Sequence, residues 1–197
     1  KLLSSDAGTN TAVFFFFFKY YINTHILLKQ PKTVTVCDNK GKTVRAIEDN
    51  SALKKRLADY DIPQKEQVKI PVGDGVELNA HIMKPVDFDA SKKYPVLISQ
   101  YSGPSRQEVL DKWTLEWEHV VASQGVVVVY VDPRGTGARG EAFRKCTYLK
   151  LGQIESDDLI ASANYLGTLP YVDKDRMGIW GWSYGGFATL MCMSRGD

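Results

Sequence analysis

The sequence predicts an α/β protein with a mostly parallel sheet and flanking helices, preceded by a smaller all-β segment. Three observations support this prediction. Strand-like apolar runs alternate with helical runs from about residue 66 onward, which is typical of a parallel sheet covered by helices. The run "VVVVYVD" has no polar member before its final Asp, as a strand buried on both faces requires. Residues before about 50 instead form short runs rich in Val and Thr.

The first part of the chain reads as short β-strands and a linker. "TVTVCDNKGKTVRAI" predicts a hairpin, because the cluster Asp-Asn-Lys-Gly between its two halves tolerates a positive φ. "SALKKRLADYDIP" predicts a short helix, with Asn50 or Ser51 as its cap and Pro63 beyond its end. We therefore divide the chain into residues 1–60 and residues 61–197.

The remaining elements follow in order. "VKIPV" and "VELNAHIMKP" are candidate edge strands, and "YPVLISQY" is an apolar strand. "LDKWTLEWEHVVAS" predicts a helix that ends at Gly125. "ESDDLIASANYLGTL" has an apolar helical stripe, and we attribute the acids in its first turn to compensation of the helix dipole. "RMGIWG" predicts another strand and "YGGFATLMCM" the start of another helix.

Composition excludes several classes of function. The chain has 197 residues and a net charge of +2 from 25 basic and 23 acidic residues, without the concentrated basic patch that nucleic-acid binding needs. The apolar run from Ala12 to Phe18 is far shorter than the roughly 20 residues of a membrane helix. The three cysteines are far apart, so we expect no disulfide framework and no metal site. Within that run, Phe14 to Phe18 fit neither a strand nor an exposed loop, and no function follows from them.

Gly181-Trp182-Ser183-Tyr184-Gly185 matches the pattern G-x-S-x-G. The motif follows a predicted strand and begins a predicted helix. That arrangement places a nucleophilic serine on a sharp, exposed turn. The alternative is a glycine-rich connection with an idle serine. The context favours Ser183 as a nucleophile.

A nucleophilic serine that transfers acyl groups also needs two donors for the oxyanion. The backbone N–H of Tyr184 is the expected first donor, because it directly follows the serine. The loop "QYSGPS" at residues 100–105 follows an earlier strand, and Tyr101 in it could supply its phenol O–H as the second. The alternative is an aromatic ring that only packs at the end of a strand.

Other polar residues have structural explanations. Asp132 and Arg134 in "VDPRGTG" could contact substrate, but we favour an ion pair between them that holds the loop after a central strand. Gly135, Gly137 and Gly140 have the spacing G-x-G-x-x-G, but the strand-turn-helix context and a ribose-binding acid about 20 residues on are ambiguous, and we favour no dinucleotide binding. We therefore expect no cofactor.

Several segments together resemble the prolyl oligopeptidase superfamily of serine peptidases, in its dipeptidyl peptidase IV branch. They are "VRAIEDN", "YPVLISQYSGP", "YVDPRGTGARGEAFR", "LGQIESDDLIASANYL" and "YVDKDRMGIWGWSYGG". The similarity covers residues 33–196, and Trp182 and Tyr184 beside the serine indicate this branch.

The resemblance implies an α/β-hydrolase fold for residues 61–197, as its N-terminal part, and the last strands of a β-propeller for residues 1–60. It implies that Ser183 attacks a peptide substrate, that Tyr101 and Tyr184 form the oxyanion hole, and that Trp182 and Tyr184 bind substrate. The implied reaction releases N-terminal dipeptides with Pro or Ala in the second position through an acyl-enzyme. Members of this branch are often periplasmic, secreted or membrane-anchored, and often dimeric.

The base and carboxylate of a catalytic triad are missing from the expected place. In α/β-hydrolases they follow the serine, but residues 184–197 contain no histidine, and their single acid is Asp197. We interpret His25, His81 and His119 as surface or packing residues and expect the chain to be truncated. The alternatives are a tripeptidyl, oligo- or acylaminoacyl peptidase, an esterase, or a catalytically silent protein with this fold.

Overall fold

The computed structural model describes residues 3, 4 and 6–196. The chain divides into two compact units. The first contains residues 1–62 together with 110–116, and the second contains residues 63–109 together with 117–197. Asp197, the acid downstream of Ser183, lies outside the described residues.

The first unit is an antiparallel sheet of four strands in sequential order. The strands are β1 (Thr9–Phe14), β2 (Tyr20–Leu27), β3 (Gln30–Asp38) and β4 (Thr43–Glu48). Strands β3 and β4 form the predicted hairpin. Its turn is held by the Asp38 carboxylate, which accepts the backbone N–H groups of Lys40 and Lys42 at 2.9 Å each. Helix α1 (Ser51–Leu57) follows, as predicted.

The phenylalanine run lies at the turn between β1 and β2. Strand β1 ends at Phe14, and residues Phe16–Phe18 form a single 3₁₀ turn. Phe17 and Phe18 have φ of 66° and 52°, which is unusual for residues other than glycine. The side chains of Phe16 and Phe17 are 93% and 88% exposed. The run is therefore an exposed aromatic turn.

The second unit contains a five-stranded sheet with the order β5-β6-β8-β7-β9. The strands are β5 (Lys65–Pro71), β6 (Glu77–Met83), β7 (Tyr94–Ser99), β8 (Val127–Asp132) and β9 (Val172–Trp180). Strands β7, β8 and β9 are parallel, whereas β5 and β6 are antiparallel to their neighbours. The sheet is thus mixed rather than mostly parallel, since the short turn between β5 and β6 permits only antiparallel pairing. Strand β6 also lies inside the sheet, not at its edge as predicted.

The helices of this unit are α2 (Trp117–Ser123), α3 (Glu141–Lys145), α4 (Gln153–Gly167) and α5 (Tyr184–Arg195). Helices α4 and α5 match the prediction. The helix predicted for residues 110–123 begins only at Trp117, so its first half was wrong. Residues 110–116 belong instead to the first unit, where Asp111 accepts hydrogen bonds from the Thr9 hydroxyl and the Leu28 backbone N–H.

The core of the second unit surrounds β8. Every residue of this strand is buried, as predicted from its run of valines. Because β7 and β9 are parallel neighbours, their carboxyl ends meet at the same edge of the sheet. Gln100 continues the pairing there, its N–H donating to the Trp180 carbonyl at 3.1 Å. No helix among the described residues is both long and apolar enough to cross a membrane.

Candidate active site

The turn that carries Ser183 joins the end of β9 to the start of α5, as predicted. Ser183 has φ 55° and ψ −116°, a conformation that residues with a side chain rarely adopt. The residue is exposed, and its hydroxyl does not cap the helix that follows. Backbone strain of this kind costs about 1–3 kcal/mol and is found mainly at functional sites.

The flanking glycines are required by close packing against the end of β7. A Cβ atom at Gly181 would lie 2.5 Å from the Gly185 carbonyl carbon and 2.6 Å from the Gln100 carbonyl oxygen. A Cβ atom at Gly185 would lie 2.5 Å from the same Gln100 oxygen. Contacts below 3 Å do not fit a side chain, so the turn admits only glycine at these two positions.

Gln100, at the end of the neighbouring strand β7, holds the turn in place, which the sequence analysis did not predict. Its side chain is buried, and its Nε2 donates to the Gly185 carbonyl at 2.8 Å and to the Thr189 hydroxyl at 3.1 Å. Its Oε1 accepts the Ser102 hydroxyl at 2.6 Å. The sequence signal that could have indicated this role is the position of Gln100, a polar residue directly after an apolar strand.

Tyr101 and Tyr184 lie next to each other beside this turn. Their ring centroids are 6.4 Å apart and the ring planes are inclined by 42°. A Cβ atom at Gly185 would also lie 3.2 Å from the Tyr101 Cα. The structure thus brings Tyr101, Ser183 and Tyr184 into one neighbourhood. Their roles as nucleophile and oxyanion donors stay predictions.

Trp182 is on the solvent side of the same turn, with 76% of its surface exposed. It precedes Ser183, and its carbonyl accepts the backbone N–H of Gly185 at 2.8 Å. Its exposed ring is accessible to a ligand. Binding of substrate by Trp182 stays a prediction.

The attribution of the acids at the start of α4 to the helix dipole was wrong for Asp158, which lies beyond the first turn of α4, whereas Glu155 lies in that turn and caps it. Glu155 and Asp158 are buried, whereas Asp157 is exposed. The Glu155 carboxylate accepts the Gly152 backbone N–H at 2.9 Å and the Tyr184 phenol O–H at 2.7 Å. Burial, together with this hydrogen bond to Glu155, raises the pKa of Tyr184.

The predicted ion pair between Asp132 and Arg134 was also wrong. Arg134 pairs with Asp158, its Nη2 lying 2.6 Å from Oδ1, and its backbone N–H donates to the same carboxylate at 2.8 Å. Asp132 instead accepts the backbone N–H groups of Glu108 and Val109 at 2.9 and 3.0 Å. Burial raises the pKa of Asp132 to about 6 despite these two bonds.

The three histidines are dispersed. His81 lies in β6 and His119 in α2, and both are buried. The ring of His25 lies 2.6 Å from the Ala7 carbonyl oxygen within the first unit. All three histidines precede Ser183 in the sequence.

Comparison with known proteins places these features in a family. The model of the prolyl oligopeptidase family matches residues 113–197. The crystal structure of Porphyromonas gingivalis dipeptidyl peptidase 4 superposes with a TM-score of 0.96 at 55% identity, covering 99% of this chain and 28% of that one.

Two fungal relatives match over much of this chain. "Probable dipeptidyl-aminopeptidase B" of Grosmannia clavigera is 45% identical over 77% of this chain and 16% of its own length. "Probable dipeptidyl peptidase 4" of Aspergillus flavus is 37% identical over 89% of this chain and 23% of its own length. The chain therefore spans less than a third of each of these relatives. Sequence and structure agree, and the chain belongs to the prolyl oligopeptidase family of serine peptidases.

Proposed function

We propose that this chain is part of a serine exopeptidase that releases N-terminal dipeptides, with Pro or Ala in the second position, from peptide substrates. The observation that carries this proposal is the exposed Ser183 on a strained turn, beside Tyr101 and the first residue of α5. The names of the similar proteins support dipeptide release. The preference for Pro or Ala follows from the family resemblance.

In the proposed reaction, Ser183 Oγ forms a bond to the carbonyl carbon of the second substrate residue. A general base takes the hydroxyl proton, and the negative charge on the carbonyl oxygen is stabilised by the Tyr184 backbone N–H and the Tyr101 phenol. The C–N bond then breaks, the leaving amine takes up the proton, and water hydrolyses the acyl-enzyme. Trp182 and Tyr184 contact the substrate.

We propose that the base and its carboxylate partner come from polypeptide outside these 197 residues. In α/β-hydrolases the histidine follows the serine, and residues 184–197 contain no histidine, which supports this proposal. In the same way, we propose that residues 1–60 are the end of a β-propeller and residues 61–197 the N-terminal part of an α/β-hydrolase domain. The four-stranded antiparallel sheet of the first unit is compatible with a propeller blade.

A chimaera tests the function. This chain would replace the matched segment of the P. gingivalis enzyme, whose fold it shares at a TM-score of 0.96. We expect the chimaera to hydrolyse Gly-Pro-nitroanilide and to react with a fluorophosphonate probe, and Ser183→Ala to abolish both.

The isolated 197-residue chain is the control, with negligible turnover expected. A folded chimaera in which the probe does not label Ser183 would refute the proposal. Labelling without cleavage of the dipeptide substrate would instead favour a related peptidase or an esterase.

A further inference from the structure

A buried carboxylate, Glu155, lies directly behind the proposed oxyanion hole. The side chain is fully buried in the first turn of α4. One of its oxygens accepts the Gly152 backbone N–H at 2.9 Å, and the other accepts the Tyr184 phenol at 2.7 Å. A buried carboxylate is costly unless it is hydrogen-bonded. Both oxygens of Glu155 have donors, so its orientation is fixed.

The residue that Glu155 holds is itself part of the proposed site. Tyr184 directly follows Ser183 and begins α5. Its ring packs edge-on against Phe187 at 5.4 Å between centroids and lies beside Tyr101 at 6.4 Å. The ring is therefore restrained at its hydroxyl and along its sides, and these restraints act on the residue whose backbone N–H is the proposed oxyanion donor.

The start of α4 is packed tightly against α5 at this point. A Cβ atom at Gly152 would lie 2.5 Å from the Phe187 ring, so only glycine permits this approach. Gly152 is also the residue whose N–H binds Glu155. Glu155, Gly152, Phe187 and Tyr184 thus form one contiguous cluster that joins α4 to the turn of Ser183.

We infer that Glu155 is a positioning residue for the oxyanion hole. By holding the phenol of Tyr184, it fixes the direction of the Tyr184 backbone N–H and, through the contact between the two rings, the place of the Tyr101 side chain. This inference rests on the proposed function. It makes the hydrogen bond from Tyr184 to Glu155 part of the machinery that stabilises the transition state.

Kinetics of the chimaera test this role through Tyr184→Phe and Glu155→Gln. Because a misplaced donor costs mainly transition-state stabilisation, we expect kcat to fall roughly 10- to 100-fold while KM changes less than about 3-fold. The double variant should lose no more than the more impaired single variant, since both changes act on one hydrogen bond: Phe removes its donor, and Gln replaces its charged acceptor with a neutral amide. Losses that multiply, or a kcat of Tyr184→Phe within about 2-fold of the parent, would overturn the inference.

Tyr94→Phe is the matched control. The Tyr94 phenol oxygen also takes part in a hydrogen bond, because it accepts the Asp89 backbone N–H at 2.8 Å. Tyr94 begins β7 and therefore lies at the opposite end of this strand from the site. We expect this variant to lose stability without loss of kcat. If Tyr94→Phe lowers kcat as much as Tyr184→Phe, the effect is general destabilisation and the inference is wrong.

A measurement on the 197-residue chain does not depend on activity. Isotope-labelled tyrosine, assigned with Tyr184→Phe, reports the Tyr184 phenol by NMR. In Glu155→Gln its resonance should move toward that of a solvent-exposed tyrosine. An unchanged resonance would contradict the inference, whereas loss of activity in Ser183→Ala tests the proposed function separately. If Glu155→Gln does not fold, Tyr184→Phe alone decides the kinetic test.

Discussion

At the scale of single residues, Ser183 combines exposure with an unfavourable backbone conformation. Its φ of 55° with ψ of −116° suits glycine better than serine. The neighbouring glycines and Gln100 hold the turn in this shape, so the strain is compensated by packing elsewhere in the second unit. An exposed serine in a strained conformation is difficult to explain by stability alone.

Replacing Ser183 by Gly should therefore stabilise the chain. We expect the free energy of unfolding to rise by about 1 kcal/mol, because glycine adopts this φ without steric cost. Ser183→Ala keeps the Cβ atom and should give no such gain. Urea denaturation of the three proteins measures the difference.

The same substitution at an ordinary helical position is the control. Ser194→Gly, in α5, should lower stability by roughly 0.5 kcal/mol. An equal response at residues 183 and 194 would show that the turn is not strained.

Some single residues were predictable and others were not. The sequence predicted the turn of Ser183 because its pattern is local: a strand, a glycine-flanked serine and a helix are contiguous in sequence. For Glu155 the dipole explained its place in the first turn of α4, but its burial and its bond to Tyr184 were not predicted. The missed signal was its spacing, since Glu155 lies four residues before the buried Leu159 and therefore on the buried face of α4.

At the scale of elements, the turn between β9 and α5 requires glycine at two positions but not at a third. A Cβ atom at Gly181 or Gly185 would overlap backbone atoms, whereas one at Gly186 would come no closer than 3.4 Å to the Gly181 oxygen. The three glycines thus differ in what they do. Two permit close approach, and the third only occupies a helical position.

Alanine substitutions separate these roles. Gly181→Ala should lower the free energy of unfolding by about 2 kcal/mol or more, because the turn would have to move away from Gln100. Gly186→Ala should leave it unchanged or raise it by up to about 1 kcal/mol, since alanine favours a helix. Thermal unfolding followed by circular dichroism measures both. Equal destabilisation by the two substitutions would contradict this account of the turn.

Elements with strong periodicity were predicted well, and the exception is instructive. Strand β8 and helices α4 and α5 follow directly from their patterns. Residues 110–116 were predicted to be helical, yet Asp111 binds the Thr9 hydroxyl and the Leu28 N–H instead. These partners are more than 80 residues away in sequence, so no local pattern could have indicated them.

At the scale of the whole molecule, the described surface has one concentrated apolar aromatic feature in the first unit. Phe14 to Phe18 are all exposed, and the adjacent Val13 is 62% exposed. Apolar patches of this kind promote association between molecules. Phe17 additionally has a positive φ, so its present side chain adds strain as well as apolar surface.

We expect the double variant Phe16→Ser and Phe17→Gly to reduce self-association of the 197-residue chain. Glycine also suits the positive φ at position 17, so stability should not fall. Light scattering as a function of protein concentration measures the effect. Tyr60→Ser, which removes an isolated aromatic side chain with 60% exposure, is the control and should change little. Equal effects of the two changes would show that the run has no special role.

The assignment of residues 110–116 to the first unit affects how this protein can be divided experimentally. An expression boundary at residue 62 would leave this segment attached to the second unit, without the hydroxyl of Thr9 and the N–H of Leu28 that Asp111 now accepts. A shortened gene encoding residues 63–197 should therefore carry a loop open to proteases near position 111. Replacing that stretch with a short glycine-serine connection would give a cleaner separate domain.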